Sequence, residues 1–175
     1  NVRNTQQKSR HLAHAANFGA RLNLRTATLK DLNELLFIEE QAHHYPWSES
    51  TLRWCIEQPH IQCFILQKER ELIGFAIYES VIDEATLLNI AVHPFMQGKG
   101  FGKQLLQQSL LQLEDGVQKI FLEVRASNVV AQQLYQTIGF TAFGSRKNYY
   151  PTADGKEDAQ LFTLDMTLYR TTHSH

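Results

Sequence analysis

Three glycines within five residues, Gly98, Gly100 and Gly102, stand between an apolar stretch and an amphipathic one. That spacing suits the capture of an anion. A helix N-terminus presents N–H groups without intrahelical partners and carries about half a positive charge, so it attracts phosphate. Glycine lets the backbone approach the anion and adopt positive φ where the turn needs it. Lys99 and Lys103 can add charge, Phe101 sits within the turn, and Gln97 can hydrogen-bond an anion or brace the loop. Other glycine signatures fit worse. A dinucleotide-binding turn needs its third glycine one residue later, and a P-loop needs Ser or Thr where Gln104 follows Gly102-Lys103. A kinase glycine loop would need H-R-D and D-F-G partners, and neither occurs.

A second group of residues can move protons. Glu123 lies in an otherwise apolar run, where a carboxylate loses water and becomes a stronger base. It could instead face solvent or pair with Arg125. Tyr135 is a candidate acid, or a core ring packed on Phe140. Asn128 stands at a helix start, where it can cap the helix, bind a ligand, or do both. Trp47, Tyr149 and Tyr150 could wall a substrate slot or pack in the core. Glu40, Glu84, Asp154 and Asp158 could pair with a basic substrate residue, but as a set they read more readily as solvated surface. His43, His44 and His93 fall in loops and read as surface residues, with no ligand set among them. No H-E-x-x-H or Cys/His spacing occurs, so no metal is expected.

Bulk properties narrow the class. Apolar residues make up 43% and charged residues 20% of 175 residues, the balance of a water-soluble chain with a core. A net charge of −1 argues against broad nucleic-acid binding, which needs many cationic phosphate contacts. No apolar run approaches the roughly 20 residues of a membrane span. Cys55 and Cys63 read as reduced, partly buried thiols of a cytoplasmic protein. Residues 1–20 are polar, without steady periodicity, and read as a leader, an arm or an expression remnant rather than a secretory signal. A single domain is expected over 21–170, with a frayed tail over 171–175.

Periodicity supplies the elements that must hold these residues. Strands are expected at 21–25, 61–67, 72–79, 85–92, 120–124, 140–149 and 159–167. Helices are expected from about 29 to 42, and at 49–56, 100–114 and 128–138. Thr28 and Asp31 resemble a capping box with Asp in place of Glu, Ser48 can cap the second helix, and Gly139 can end the last. Pro46 disfavours helix at Tyr45, and 151–155 reads as a turn. Helices alternating with strands indicate an α/β (α+β) fold, a mixed sheet covered on both faces.

The run V-x-P-x-x-Q-x-x-G-x-G, from Val92 to Gly102, is similar to the acetyl-CoA motif of the GNAT superfamily of N-acetyltransferases. The resemblance spans about 21–167 and implies a central, mixed, mostly antiparallel twisted sheet. It implies acetyl-CoA as co-substrate, with pyrophosphate on the amides of 98–103 and the pantetheine arm along Ile90, Ala91 and Val92. One of those strand amides would be the oxyanion donor. Leu122-Glu123-Val124-Arg125-Ala126-Ser127-Asn128, Pro46-Trp47-Ser48 and Asn148-Tyr149-Tyr150-Pro151 resemble one branch, the RimI-type ribosomal-protein alanine N-acetyltransferases. That branch implies the N-terminus of a small-subunit ribosomal protein as substrate, Glu123 as base through water, and Tyr135 as acid to the coenzyme sulfur. It implies pantetheine contact for Asn128. The turn departs from the pattern at Phe95-Met96 and Gly98, where bulkier or more polar residues are common, implying weaker side-chain contact with phosphate. Two other readings remain: an acetyltransferase acting on lysine side chains or small amines, and a non-catalytic acyl-CoA-binding module.

Overall fold

A computed structural model describes residues 21–173. The strands are β1 (Leu22–Thr26), β2 (Ile61–Lys68), β3 (Glu71–Val81), β4 (Glu84–Val92), β5 (Lys119–Arg125), β6 (Thr141–Thr152) and β7 (Gly155–Asp165). The helices are α1 (Leu32–Ala42), α2 (Glu49–Glu57), α3 (Phe101–Gln112), α4 (Val129–Ile138) and α5 (Met166–His173). The strands form one sheet in the order β1-β2-β3-β4-β5-β7-β6. Every neighbouring pair is antiparallel except β4 with β5. The mixed, mostly antiparallel sheet is therefore present. The expectation for residues 1–20 lies outside the described residues.

Alternation along the strands sends apolar side chains to both faces. On one face Leu35, Ile38, Leu52 and Cys55 of α1 and α2 cover Cys63, Ile65, Phe75 and Ile77. On the other, Leu105, Leu106, Tyr135, Ile138, Met166 and Tyr169 of α3, α4 and α5 cover Phe64, Ile73, Tyr78, Ile120, Leu122 and Phe162. Local signals set the ends as their chemistry requires. Thr28 N donates to Asp31 Oδ2 at 2.8 Å, and Thr51 N to Ser48 Oγ at 3.2 Å. Gly139 closes α4, its N–H reaching Tyr135 O. Both cysteines are buried and unpaired.

The C-terminal tail is the main correction to the elements. Residues 166–173 form α5 where the sequence suggested strand and then fraying. Asp165 Oδ1 accepts from Thr167 N and Leu168 N, which starts the helix, and Tyr169 is 3% exposed. Arg170 Nη1 donates to Val117 O at 2.7 Å and its Nη2 to Glu114 O at 2.7 Å, tying α5 to the loop after α3. The last turn is also tighter than expected: β6 runs through Pro151 to Thr152. Proline is tolerated there because β6 is the sheet edge.

Two features of β4 prepare the site. Its parallel ladder with β5 holds only Glu84↔Lys119, Ala85↔Ile120 and Thr86↔Phe121. Its register with β3 jumps from Tyr78↔Leu87 to Ile77↔Asn89, so Leu88 is an unpaired bulge residue. The extra residue reverses the alternation: Leu87 joins the α3 face, while Asn89 turns to the α1 face and contacts Glu39. Behind the bulge β3 and β4 nearly touch. A Cβ on Gly74 would lie 2.5 Å from Ala91 O.

The α3 face holds one buried polar pair. Tyr78 Oη and Ser109 Oγ lie 2.7 Å apart, and Ser109 Oγ donates to Leu106 O at 3.1 Å. The serine proton is committed, so the tyrosine is the donor between them. Ser109→Ala should therefore cost more, about 1–3 kcal/mol for the orphaned phenol, than Tyr78→Phe, about 0.5–1.5 kcal/mol. Urea unfolding of both variants checks the order.

Candidate active site

The parting of β4 and β5 opens two clefts that meet. The first, about 370 Å³, runs along Ile90, Ala91 and Val92, past Gln97, Gly98, Gly100, Phe101 and Gly102, and under Asn128, Leu134 and Tyr135. Gly98 and Gly100 have φ of +72° and +82°, and a Cβ on either would meet nothing within 4 Å. The left-handed backbone, not crowding, demands glycine there. Gln97 Nε2 donates to Val92 O at 3.0 Å and braces the turn. The α3 ladder begins with Gln104 N on Gly100 O, so the amides of 101–103 precede it without intrahelical acceptors. Lys99 and Lys103 stand outside the lining. The arrangement can take an elongated ligand with an anionic end at the turn and a narrow chain along the open edge of β4.

Tyr135 lies at the inner wall of this cleft. It is 6% exposed, with its ring 5.8 Å from Phe140, so the alternative of a core ring packed on Phe140 is present. Burial holds its phenol above the usual tyrosine range. Asn128 Oδ1 accepts from Ala131 N at 3.1 Å, which confirms the cap, and the residue borders both clefts.

The second cleft, about 510 Å³, lies on the α1 face between α1, the following loop and the β6–β7 hairpin. It is lined by Trp47 and Tyr150, together with Glu39, His43, Tyr45, Asn89, Arg125 and Glu157. Arg125 is held between two rings, 4.4 Å from the centroid of Tyr45 and 4.6 Å from that of Tyr150. Its Nη1 donates to Pro151 O at 2.8 Å and lies 3.4 Å from Glu157 Oε1. Burial and the Glu123 charge push the Tyr150 phenol up to about 12, so it stays a hydrogen-bond donor at neutral pH. Ala42, His43 and Asn128 border both clefts.

Glu123 sits two residues from Arg125 on the same face of β5, beside the lining of both clefts rather than in it. Its partner is not Arg125. Glu123 Oε1 pairs with Arg146 Nε at 2.8 Å, while Arg125 is taken by Glu157. Tyr149 joins them: hydrogen bonding to the Glu123 carboxylate holds its phenol above the usual range, and Arg146 lies over its ring at 5.4 Å. Tyr149 is thus outside both clefts. The hairpin geometry explains the split. Residues 147–149 bulge around Asp158, whose Oδ1 accepts from Asn148 N at 2.9 Å and whose Oδ2 meets Lys147 Nζ at 3.0 Å. Asp158, suggested as a partner for a basic substrate, is committed to this bulge.

One cluster has no signature in the sequence. Glu39 is 1% exposed; its Oε2 accepts from Asn89 Nδ2 at 2.8 Å and its Oε1 from Trp47 N at 3.1 Å. His43 Nε2 lies 3.0 Å from Asn89 Oδ1. His43, read from sequence as a surface loop residue, faces the junction of the two clefts. Local sequence could not show this, because Glu39 and Asn89 are 50 residues apart and meet only through the β4 bulge.

The profile of the acetyltransferase (GNAT) family matches residues 26–140. The chain belongs to the GNAT acetyltransferase family. It is an acyltransferase. It is 43% identical over 139 residues to the [ribosomal protein bS18]-alanine N-acetyltransferase of Escherichia coli K12, covering 79% of this chain and 93% of that one. The Haemophilus influenzae protein of the same name is 47% identical over 131 residues, covering 74% and 88%. The crystal structure of the Escherichia coli ribosomal-protein-S18-alanine N-acetyltransferase superposes with a TM-score of 0.78 at 41% identity, over 83% of this chain and 94% of that one. Among the described residues no group of His, Cys, Asp or Glu is placed to hold a metal, and no helix is long and apolar enough to cross a membrane.

Whether the glycine turn takes an anion in this acetyltransferase can be tested directly. Gly100→Ala should cost about 1–2 kcal/mol of stability through left-handed strain alone, since the space around it is open. Thermal unfolding reads that cost. Calorimetric titration with coenzyme A should show weaker binding than in the parent protein.

Proposed function

We propose that this chain transfers the acetyl group of acetyl-CoA to the α-amine of a protein N-terminus, an alanine of a small-subunit ribosomal protein. The observation that carries the reading is the junction of two clefts of different character: one along an open strand edge with an anion turn, one walled by Trp47, Tyr150 and Arg125. The first suits the pantetheine and pyrophosphate of the donor. The second suits a chain end entering from the α1 face. The relatives that share 40% or more of their residues with this chain bear the name bS18-alanine N-acetyltransferase, which supports the acceptor.

Acetyl-CoA, when bound, supplies an activated thioester. The chain's own groups then have three tasks. An α-ammonium with a pKa near 8 must lose a proton before it can attack. Glu123 draws that proton through water, at a position where Arg146 and Tyr149 keep the carboxylate oriented. A main-chain N–H of residues 90–92 polarises the thioester carbonyl. Tyr135 gives a proton to the sulfur. Its phenol is a weaker acid than usual, but an apolar slot raises a thiol too, as burial does for Cys63 at about 12, so donor and acceptor shift together. Asn128 hydrogen-bonds the pantetheine while capping α4. Trp47 and Tyr150 wall the acceptor slot, and Tyr149 serves it through Glu123.

Coenzyme A release should be fastest with peptides beginning in free Ala, and absent with blocked Ala. Equal rates on peptides whose only amine is an internal Lys would overturn the acceptor assignment. Glu123→Gln should lower turnover by about 10²-fold at pH 6.5, with the deficit shrinking towards pH 9 as the α-ammonium loses its proton unaided. Tyr135→Phe should slow turnover by a similar factor while acetyl-CoA still binds.

A further inference from the structure

We propose that His43 is a third catalytic residue of this site, beside Glu123 and Tyr135: its Nδ1 accepts an N–H of the acceptor amine and takes the proton that nitrogen sheds as the amide forms. The proposal rests on the amine-acetylation reading above and adds the group that meets the amine directly.

The hydrogen bonds fix the ring's tautomer. A carboxylate only accepts, so Glu39 Oε2 fixes Asn89 with its Nδ2 as donor, at 2.8 Å. Asn89 Oδ1 is then turned to His43 Nε2 at 3.0 Å, and Nε2 must carry the hydrogen. In the neutral ring this leaves the lone pair on Nδ1. That atom has no hydrogen-bond partner among the described residues. The ring is 34% exposed at the place where donor and acceptor clefts join.

A carboxylate stands behind the ring. Glu39 is buried, and among the described residues its one ion-pair partner is His43, with Nε2 3.7 Å from Oε2. A proton delivered to Nδ1 would thus be held on a ring that faces this carboxylate. Base, orienting group and carboxylate stand in line, the logic by which an imidazole is held for proton transfer. The other titratable groups facing the cleft are Arg125, Glu157, His44, Tyr45 and Tyr150, and Arg125 and Glu157 are paired with each other.

The protons balance. The entering ammonium gives its first proton to Glu123 through water. The nitrogen attacks the carbonyl; the C–N bond forms, the C–S bond breaks, and the nitrogen's second proton passes to His43 Nδ1. The thiolate takes a proton from Tyr135, and the phenolate is restored by one of the two protons removed. One proton leaves to solvent.

The test uses His43→Ala and His43→Gln in the full chain, with a free-Ala peptide and acetyl-CoA. Both should lose about 10²-fold in kcat, with acetyl-CoA affinity by calorimetry unchanged. Gln can hydrogen-bond but cannot take a proton, so it should not recover the rate. Added imidazole should restore part of kcat in His43→Ala and leave wild type and Tyr135→Phe unaffected. A His43→Ala protein with wild-type kcat, or a loss that imidazole does not move, overturns the proposal while leaving the acceptor reading intact. A wild-type protein inactive on every free-amine peptide overturns the acceptor reading, and His43's role with it.

Discussion

Everything at the site depends on β4 and β5 separating after three parallel pairs. A continuous ladder from Thr86 onward would satisfy the backbone of β4 and close the sheet. Parting leaves the stretch through Ile90 and Val92 with one paired edge, on β3, and an open edge on the other side. The widening gap is filled partly by α4, which lays Leu134 and Tyr135 across it. At its mouth the chain leaves β4, passes through a short 3-10 turn at Pro94–Met96 and the glycine loop, and enters α3, so the amides of 101–103 stand at the mouth without intrahelical acceptors. The same gap connects the two faces of the sheet, which lets a ligand on one side meet a ligand on the other.

The two sides of that opening are chemically unlike. The α3 face contributes apolar walls and a buried phenol. The α1 face contributes Glu39, Asn89, Arg125 and Glu157, a polar surface whose charges are nearly all held by each other. Holding them costs backbone regularity. The Leu88 bulge swings Asn89 to Glu39, and the 147–149 bulge is filled by Asp158. Each irregularity breaks a ladder where a side chain is needed at a face that strict alternation would deny it.

This pattern decides what the sequence could reveal. Helices and strands follow from hydrophobic period and end signals, and the glycine turn from its position between a strand and a helix. Those are local quantities. Arg146 as the partner of Glu123 is not, because β6 reaches β5 across β7 and no spacing encodes that distance. His43 has no signature of its own; it gains a role only when a bulge moves Asn89 by one face. Helix α5 was hidden by Thr-rich composition, and its evidence is tertiary: Arg170 on the carbonyls after α3. Thr86-Leu87-Leu88-Asn89 reads as a buried strand, which it is, without disclosing where its period fails.

Gly74 shows how far the site extends beyond the atoms that line it. It touches neither cleft, yet the space for its missing methyl is occupied by the carbonyl of Ala91, a residue that also lines the first cleft. Any side chain at 74 must move that carbonyl, and the channel wall moves with it. Gly74 is paired with Leu66 on one side and Val92 on the other, so it has no room to yield. The residue acts as a spacer, setting the width of a channel from behind the wall.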